Sequence, residues 1–269
     1  MSELADDPVR LFSAAVHAYH AEPYDDDAFR DPLLRLARGG AGPAVDLART
    51  RLRDDDTAVR AGAARLLRVL DEVGGDTGRE EVAALLVDLI GEEKEPDVLC
   101  AMIEALGGSG RPHALPVLVG LAGHPDGDVR HQVAAALPAV LAGAGLPADG
   151  VAVLIRLSAD SEPHVRDWAT YGLGTALDAD TEAIRAALWA RTGDSYVPAF
   201  EEGVHGLARR KDPGAVALVA ALLADDGASE LTFSSAAALG DPSLVPLLAA
   251  YDQSDPLVVA ALAACAEPE

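Results

Sequence analysis

The sequence predicts an all-α chain built as an α-solenoid, a stack of helix pairs, and three observations carry that prediction. The first is a repeating register in which an acid precedes an anchor residue by five, a small residue follows it by four and an apolar residue by eight. Asp160/Val165/Ala169/Leu173 and Asp54/Val59/Ala63/Leu67 satisfy all four positions. Glu93/Val98/Met102/Leu106 fits with a larger residue at +4, and His124/Val129/Val133/Leu137 fits with Asp126 as the turn acid. Weaker copies are Asp194/Ala199/Gly203/Leu207, Asp226/Leu231/Ser235/Leu239 and Asp252/Leu257/Ala261/Cys265. The anchors are spaced by 39, 31, 36, 34, 32 and 26 residues, a period that marks stacked repeats. The second observation is that positions 0, +4, +7 and +8 share one face of a helix at 3.6 residues per turn. The third is composition: half of the 269 residues are apolar yet only 4% are aromatic. The core must then be Ala, Leu and Val, which let helices approach closely.

Taken in order, residues 1–42 fit no clear repeat. Leu4–His20 and Tyr24–Arg38 read as two helices that cap the first repeat's apolar face. Residues 43–269 read as the solenoid, continuous with the cap in one domain. Each anchor opens a second helix, B, of a pair. Ahead of most anchors lies a first helix, A, seen at residues 43–48, 114–119, 151–155, 184–189, 215–219 and 244–248. Gly and Pro mark the joints at Gly74-Gly75, Gly107-Gly108, the stretch from Gly143 to Pro147, and Asp241-Pro242. The short last unit closes the far end.

A Pro in helix A, an Asp in the turn and Val-Arg opening helix B resemble HEAT repeats, above all the short bacterial HEAT-like repeats named after phycobilin lyases. Pro116, Asp126 and Val129-Arg130 carry the likeness, with Asp160 and Val165-Arg166, and Asp54 and Val59-Arg60. It covers about residues 43–266 and is specific for fold rather than function. The resemblance implies a right-handed superhelix whose B helices line the concave side. It also implies turn Asp and helix-B Arg residues hydrogen-bonded along the stack: Asp54 with Arg60, Asp126 with Arg130, Asp160 with Arg166. That ladder should be interrupted where +1 is Leu99, Phe200, Thr232 or Val258.

Formal charge is −23, from 21 basic and 44 acidic residues, which opposes nonspecific binding to nucleic acid and anionic membranes. The imbalance is local: residues 1–70 hold 10 Arg against 12 acids, whereas 71–269 hold 11 basic residues against 32 acids. Solubility of an Ala-rich surface accounts for such charge, and so does a basic partner. Cys100 and Cys265 have no metal or redox spacing, which favours a reducing cytoplasm. The first residues lack the basic and apolar regions of a signal peptide, and no apolar run reaches the length of a membrane span.

With 0, +4, +7 and +8 buried, helix B should turn +2, +3 and +6 outwards. Down the stack these are Ala61, Gly62 and Arg65; Cys100, Ala101 and Glu104; His131, Gln132 and Ala135; Asp167, Trp168 and Tyr171; Glu201, Glu202 and His205; and Phe233, Ser234 and Ala237. Asp167, Trp168, Tyr171, Glu201, Glu202 and His205 form the candidate binding site. Aromatic rings beside carboxylates suit a cationic or extended peptide ligand. The competing reading packs Trp168 and Tyr171 between adjacent B helices as core.

Other chemistries find less support. Glu201 and His205 lie i, i+4, but metal binding would need His131 and Asp167 to converge with them across successive repeats. HEAT-like di-iron hydroxylases carry His-Glu pairs, and this chain has no His-Glu dipeptide. No Gly-x-Ser-x-Gly elbow or Walker lysine occurs. Some HEAT-like DNA glycosylases hold duplex in their groove, and Arg49, Arg51, Arg53, Arg60, Arg65 and Arg68 offer a basic cluster. Asp46, Asp54, Asp55 and Asp56 offset it. The expectation is a non-enzymatic scaffold that needs no cofactor or metal and holds a protein or peptide, basic in character, rather than nucleic acid or membrane. The alternative is a lyase- or chaperone-like HEAT protein acting on a partner protein, as the phycobilin-lyase resemblance implies.

Overall fold

A computed structural model describes residues 7–19, 21, 26–73, 75–225 and 228–266, which form helices joined by turns and short loops with no strand among them. Residues 1–6, His20, Tyr24, Gly74 and Asp226, on which several expectations rest, lie outside the described residues. The chain divides into two compact units, Met1–Gly150 and Val151–Glu269.

In the first unit, α1 (Pro8–Tyr19) and α2 (Asp26–Arg38) precede three helix pairs. These are α3 (Ala41–Arg51) with α4 (Thr57–Val73), α5 (Gly75–Leu89) with α6 (Pro96–Ser109), and α7 (Leu115–Leu121) with α8 (Gly127–Gly143). The B helices α4, α6 and α8 pack side by side. The N-terminal pair docks on α4. Gly62 makes that possible: a Cβ there would lie 2.6 Å from Val16 Cγ2 and 3.5 Å from the Phe12 ring. Position +3 of the first repeat is therefore covered by the cap and not turned to solvent.

The second unit continues the scheme. Helix α9 (Ala148–Leu157), which straddles the division, is followed by α10 (Pro163–Tyr171), and α10 runs into a π-helical turn at Gly172–Ala176. Then come α11 (Glu182–Arg191) with α12 (Val197–Arg209), α13 (Ala215–Leu223) with α14 (Glu230–Leu239), and α15 (Val245–Leu248) with α16 (Pro256–Ala266). Here α10, α12, α14 and α16 are the successive B helices.

Across both units every +4 residue (Ala63, Met102, Val133, Ala169, Gly203, Ser235, Ala261) and every +8 residue (Leu67, Leu106, Leu137, Leu173, Leu207, Leu239, Cys265) is buried. The small +4 side chains are what let neighbouring helices close up without voids. In α14 and α16 only the first buried position shifts, by one residue. Leu231 and Leu257 are only half-buried while Thr232 and Val258 are fully buried.

The Asp–Arg ladder differs in detail from its expected form. Each helix-B Arg donates to main-chain carbonyls of its own turn: Arg60 to Asp54 and Asp55, Arg130 to His124 and Pro125, Arg166 to Asp160 and Ser161. The remaining guanidinium nitrogens reach the acid of the following turn. Arg60 holds Glu93 at 2.7 and 3.3 Å, and Arg166 holds Asp194 at 2.7 and 2.8 Å. The own-turn carboxylates are occupied by backbone N–H groups, of Asp56 on Asp54, Asp128 and Val129 on Asp126, and Glu162 on Asp160. A carboxylate that closes its own turn lies too near the chain to meet an Arg six residues on, so the cation links neighbouring repeats instead. The bond from Arg166 holds the Asp194 carboxyl down at about 2 against burial, which pushes it up.

Candidate functional site

Helix α10 starts with Pro163 in its first turn, where a missing N–H costs nothing. Val165, Ala169 and Leu173 face inwards. That phase leaves Asp167, Trp168 and Tyr171 on the opposite side. Trp168 is 41% and Tyr171 38% exposed, so neither ring is core. Three residues apart on one helix, they meet edge to face with centroids 5.7 Å apart at 68°. The other tryptophan, Trp189, differs: its indole N–H donates to Asp212 at 3.4 Å, and its ring occupies the space a side chain at Gly214 would need.

The π-helical turn and α12 bring the second half of the site alongside. Gly174 and Gly206 face one another so closely that a Cβ on Gly206 would sit 2.7 Å from the Gly174 Cα. Arg210, whose side chain is 5% exposed, ties off the carbonyls that the π-helical turn frees. It donates to those of Leu173, Gly174, Leu177 and Ala179. This clamp sets α12 beside α10, with Thr175 donating to Glu202 at 2.8 Å.

Three carboxylates result. Asp167 and Glu201 make no hydrogen bond or ion pair among the described residues, and Glu202 makes only the one to Thr175. Burial pushes the Asp167 carboxyl above its ordinary value. Burial also raises Glu202, opposed by the Thr175 hydroxyl and reinforced by repulsion from Asp167 and Glu201. Yet the same unit pairs acid with Arg elsewhere: Asp178 with Arg209, Asp180 and Asp212 with Arg185, Asp194 with Arg166 and Arg191.

His205 does not belong to this surface. It is 8% exposed, and its Nδ1 lies 3.0 Å from Ser235 Oγ on α14. Burial, with Arg209 nearby, pulls its pKa down to about 4. A B helix flanked on both sides exposes a narrower arc than a free helix, and six successive residues of α12, Gly203–Ala208, are buried. Phe233, expected to face outwards, is likewise 6% exposed and meets Tyr251 edge to face. Among the described residues no three His, Cys, Asp or Glu side chains are grouped to hold a metal ion.

The first unit carries a feature that the repeat register alone could not reveal. Outward positions Ala61, Arg65, Cys100, Ala101, Glu104, His131 and Gln132 line a cavity of about 830 Å³, walled on one side by Tyr19, Phe29 and Arg30 of the cap. Arg51 meanwhile pairs with Asp54, Arg60 with Glu93, and Arg68 with Asp71 and Glu72. Half of the basic cluster is thus neutralised within the protein.

Residues 45–138 match the family model for HEAT repeats. No curated protein matches the chain. Among solved structures it resembles YibA of Escherichia coli, at 20% identity and TM-score 0.72 over 97% of this chain and 93% of that one. It also resembles an engineered protein, at 18% identity and TM-score 0.56 over 94% and 77%. The karyopherin Kap121p, crystallised with the SUMO protease Ulp1p, superposes at 12% identity and TM-score 0.67, over 95% of this chain and 33% of its own length. At such identities the likeness is one of fold.

Proposed function

We propose that this chain, whose residues 45–138 match HEAT repeats, is a non-catalytic binding protein that takes a basic segment of a partner protein on the α10–α12 face. The carrying observation is the contrast in pairing. Asp167, Glu201 and Glu202 are left without a cation beside two exposed rings, in a unit where Asp178, Asp180, Asp194 and Asp212 each have one. A Lys or Arg side chain laid against Trp168 and Tyr171 supplies the missing charge, gains cation–π contact and relieves the Asp167–Glu202 repulsion. That Kap121p, which shares this fold over 33% of its length, was crystallised bound to a protein fits this reading.

The test uses fluorescein-labelled peptides with two or three Arg or Lys residues in a neutral sequence, read by anisotropy at low and physiological salt. Wild type should bind them and ignore the acidic counterparts. The Trp168→Ala/Tyr171→Ala variant and Glu202→Gln should each lose about tenfold or more in affinity, while circular dichroism shows both folded. Equal binding by wild type and the double variant would remove the site from this face.

A further inference from the structure

The cavity of the first unit has its own charge logic, independent of the α10–α12 face. Five acids (Asp56, Glu72, Asp97, Glu104, Asp128) and three arginines (Arg30, Arg65, Arg68) line it. Much of this charge is spent internally. Arg30 bonds Glu72, and Arg68 reaches Asp71, Glu72 and Glu104. Asp56 closes the first turn of α4 by accepting from Ala58 N at 2.8 Å.

Two opposite charges are not spent. Arg65 lies with its guanidinium carbon 3.7 Å from the centre of the Tyr19 ring and donates to Tyr19 Oη at 2.6 Å. Among the described residues no carboxylate pairs with it. Asp97, in the first turn of α6, makes no hydrogen bond or ion pair among the described residues. Gln132 contributes an amide that is equally uncommitted. Arg65, Asp97 and Cys100 line the same cavity, Asp97 as an exposed residue.

Neither a plain anion nor a plain cation satisfies that chamber. An anion on Arg65 would face the acids of α6 and α8, and a cation on Asp97 would leave Arg65 unmatched. A ligand bearing both charges answers each. The Tyr19 stack holds the Arg65 fork in place before anything binds, which lowers the ordering cost of a bidentate carboxylate contact. About 830 Å³ lies in the usual range for small-molecule sites and holds several residues' worth of ligand.

We propose that this cavity is a second, separate binding site for a zwitterionic ligand of the amino-acid or short-peptide class, its carboxylate on Arg65 and its ammonium on Asp97. The cap helices are then part of a binding site as well as a cover for the repeat array.

Three probe families of matched length test the assignment: ω-amino acids (4-aminobutanoate, 6-aminohexanoate, 8-aminooctanoate), the corresponding dicarboxylates and the corresponding diamines. Each is offered to the full chain and read by ligand-observed saturation-transfer NMR and by calorimetry. At least one ω-amino acid should bind, more tightly than the dicarboxylate and diamine of its length. Arg65→Gln and Asp97→Asn should each weaken it about tenfold or more. Trp168→Ala/Tyr171→Ala should bind it like wild type, which separates this site from the α10–α12 face. Silence from all nine probes, preference for a dicarboxylate or diamine, or unchanged binding in a folded Arg65→Gln variant would overturn the proposal.

Discussion

Asp194 is the joint between two repeats of the second unit, and replacing it with Asn isolates what that joint contributes. Its side chain is 3% exposed and receives Arg166 Nε at 2.7 Å and Nη2 at 2.8 Å, Arg191 Nη1 at 2.7 Å and the Tyr196 N–H at 3.0 Å. These contacts hold its pKa at about 2, against an ordinary 3.8. A difference of that size corresponds to roughly 2.5 kcal/mol of folding stability at neutral pH. Because the folded pKa is the depressed one, the contribution is present above about pH 4 and fades as pH falls towards 2. Linkage leaves roughly 1.3 kcal/mol at pH 3 and about 0.4 kcal/mol at pH 2. Urea unfolding of wild type and Asp194→Asn at pH 7, 5, 4 and 3 measures the gap directly. It should hold near 2 to 3 kcal/mol down to pH 4 and shrink by about half at pH 3. A gap under 0.5 kcal/mol at pH 7, or one that does not narrow at pH 3, would refute the ion-pair account.

The remaining predictions address the candidate site and its frame. Trp168→Ala with Tyr171→Ala should cost about 1 to 2 kcal/mol in urea unfolding, since both rings are more than a third exposed, while basic-peptide binding falls sharply. That binding should weaken on acidification at a higher pH than ordinary carboxylates would dictate, because Asp167 and Glu202 are both raised. Gly206→Ala should destabilise the chain by about 1 to 3 kcal/mol, as the new methyl meets the Gly174 backbone at 2.7 Å and Leu188 at 2.8 and 3.0 Å. His205 is kept neutral in the folded chain down to about pH 4, whereas the unfolded chain takes up that proton near pH 6.5. Stability should therefore decline between those values, and His205→Gln should flatten that part of a thermal-midpoint profile.

The solenoid was legible in the sequence because its repeat is a local pattern. An acid closing a turn, small and apolar residues at helical spacing and a Pro or Gly at each joint act within about fifteen residues. Such short-range chemistry needs no knowledge of distant contacts. The exposure of Trp168 and Tyr171 followed from the same phase. His205 and Phe233 escaped it because their burial depends on which neighbour lies on each flank. Single-helix periodicity carries no such information. The Arg ladder was misassigned for a related reason: Asp54 and Arg60 are close in sequence, but the Asp54 carboxylate is already taken by the Asp56 N–H, which leaves the next turn's Glu93 as partner. Arg210 gave no signal at all. Its role is set by carbonyls that the π-helical turn frees more than thirty residues earlier.

The same reasoning explains why the cavity of the first unit was invisible while most of its wall was named. Seven of its lining residues sit at positions of three successive B helices that the register turned outwards, although Ala61 and Ala101 among them are buried. What makes them a chamber is the cap. Gly62 admits α1 against α4, and that approach sets Tyr19 over Arg65. A repeat array by itself presents a shallow surface, because each unit contacts only its neighbours. An element outside the repeat closes such a surface into a pocket. In this chain the repeat supplies a scaffold and ion pairs that are largely self-satisfied. The two binding sites proposed for it lie where the pattern departs from itself: the aromatic helix α10 with its π-helical turn, and the cap with the guanidinium it holds.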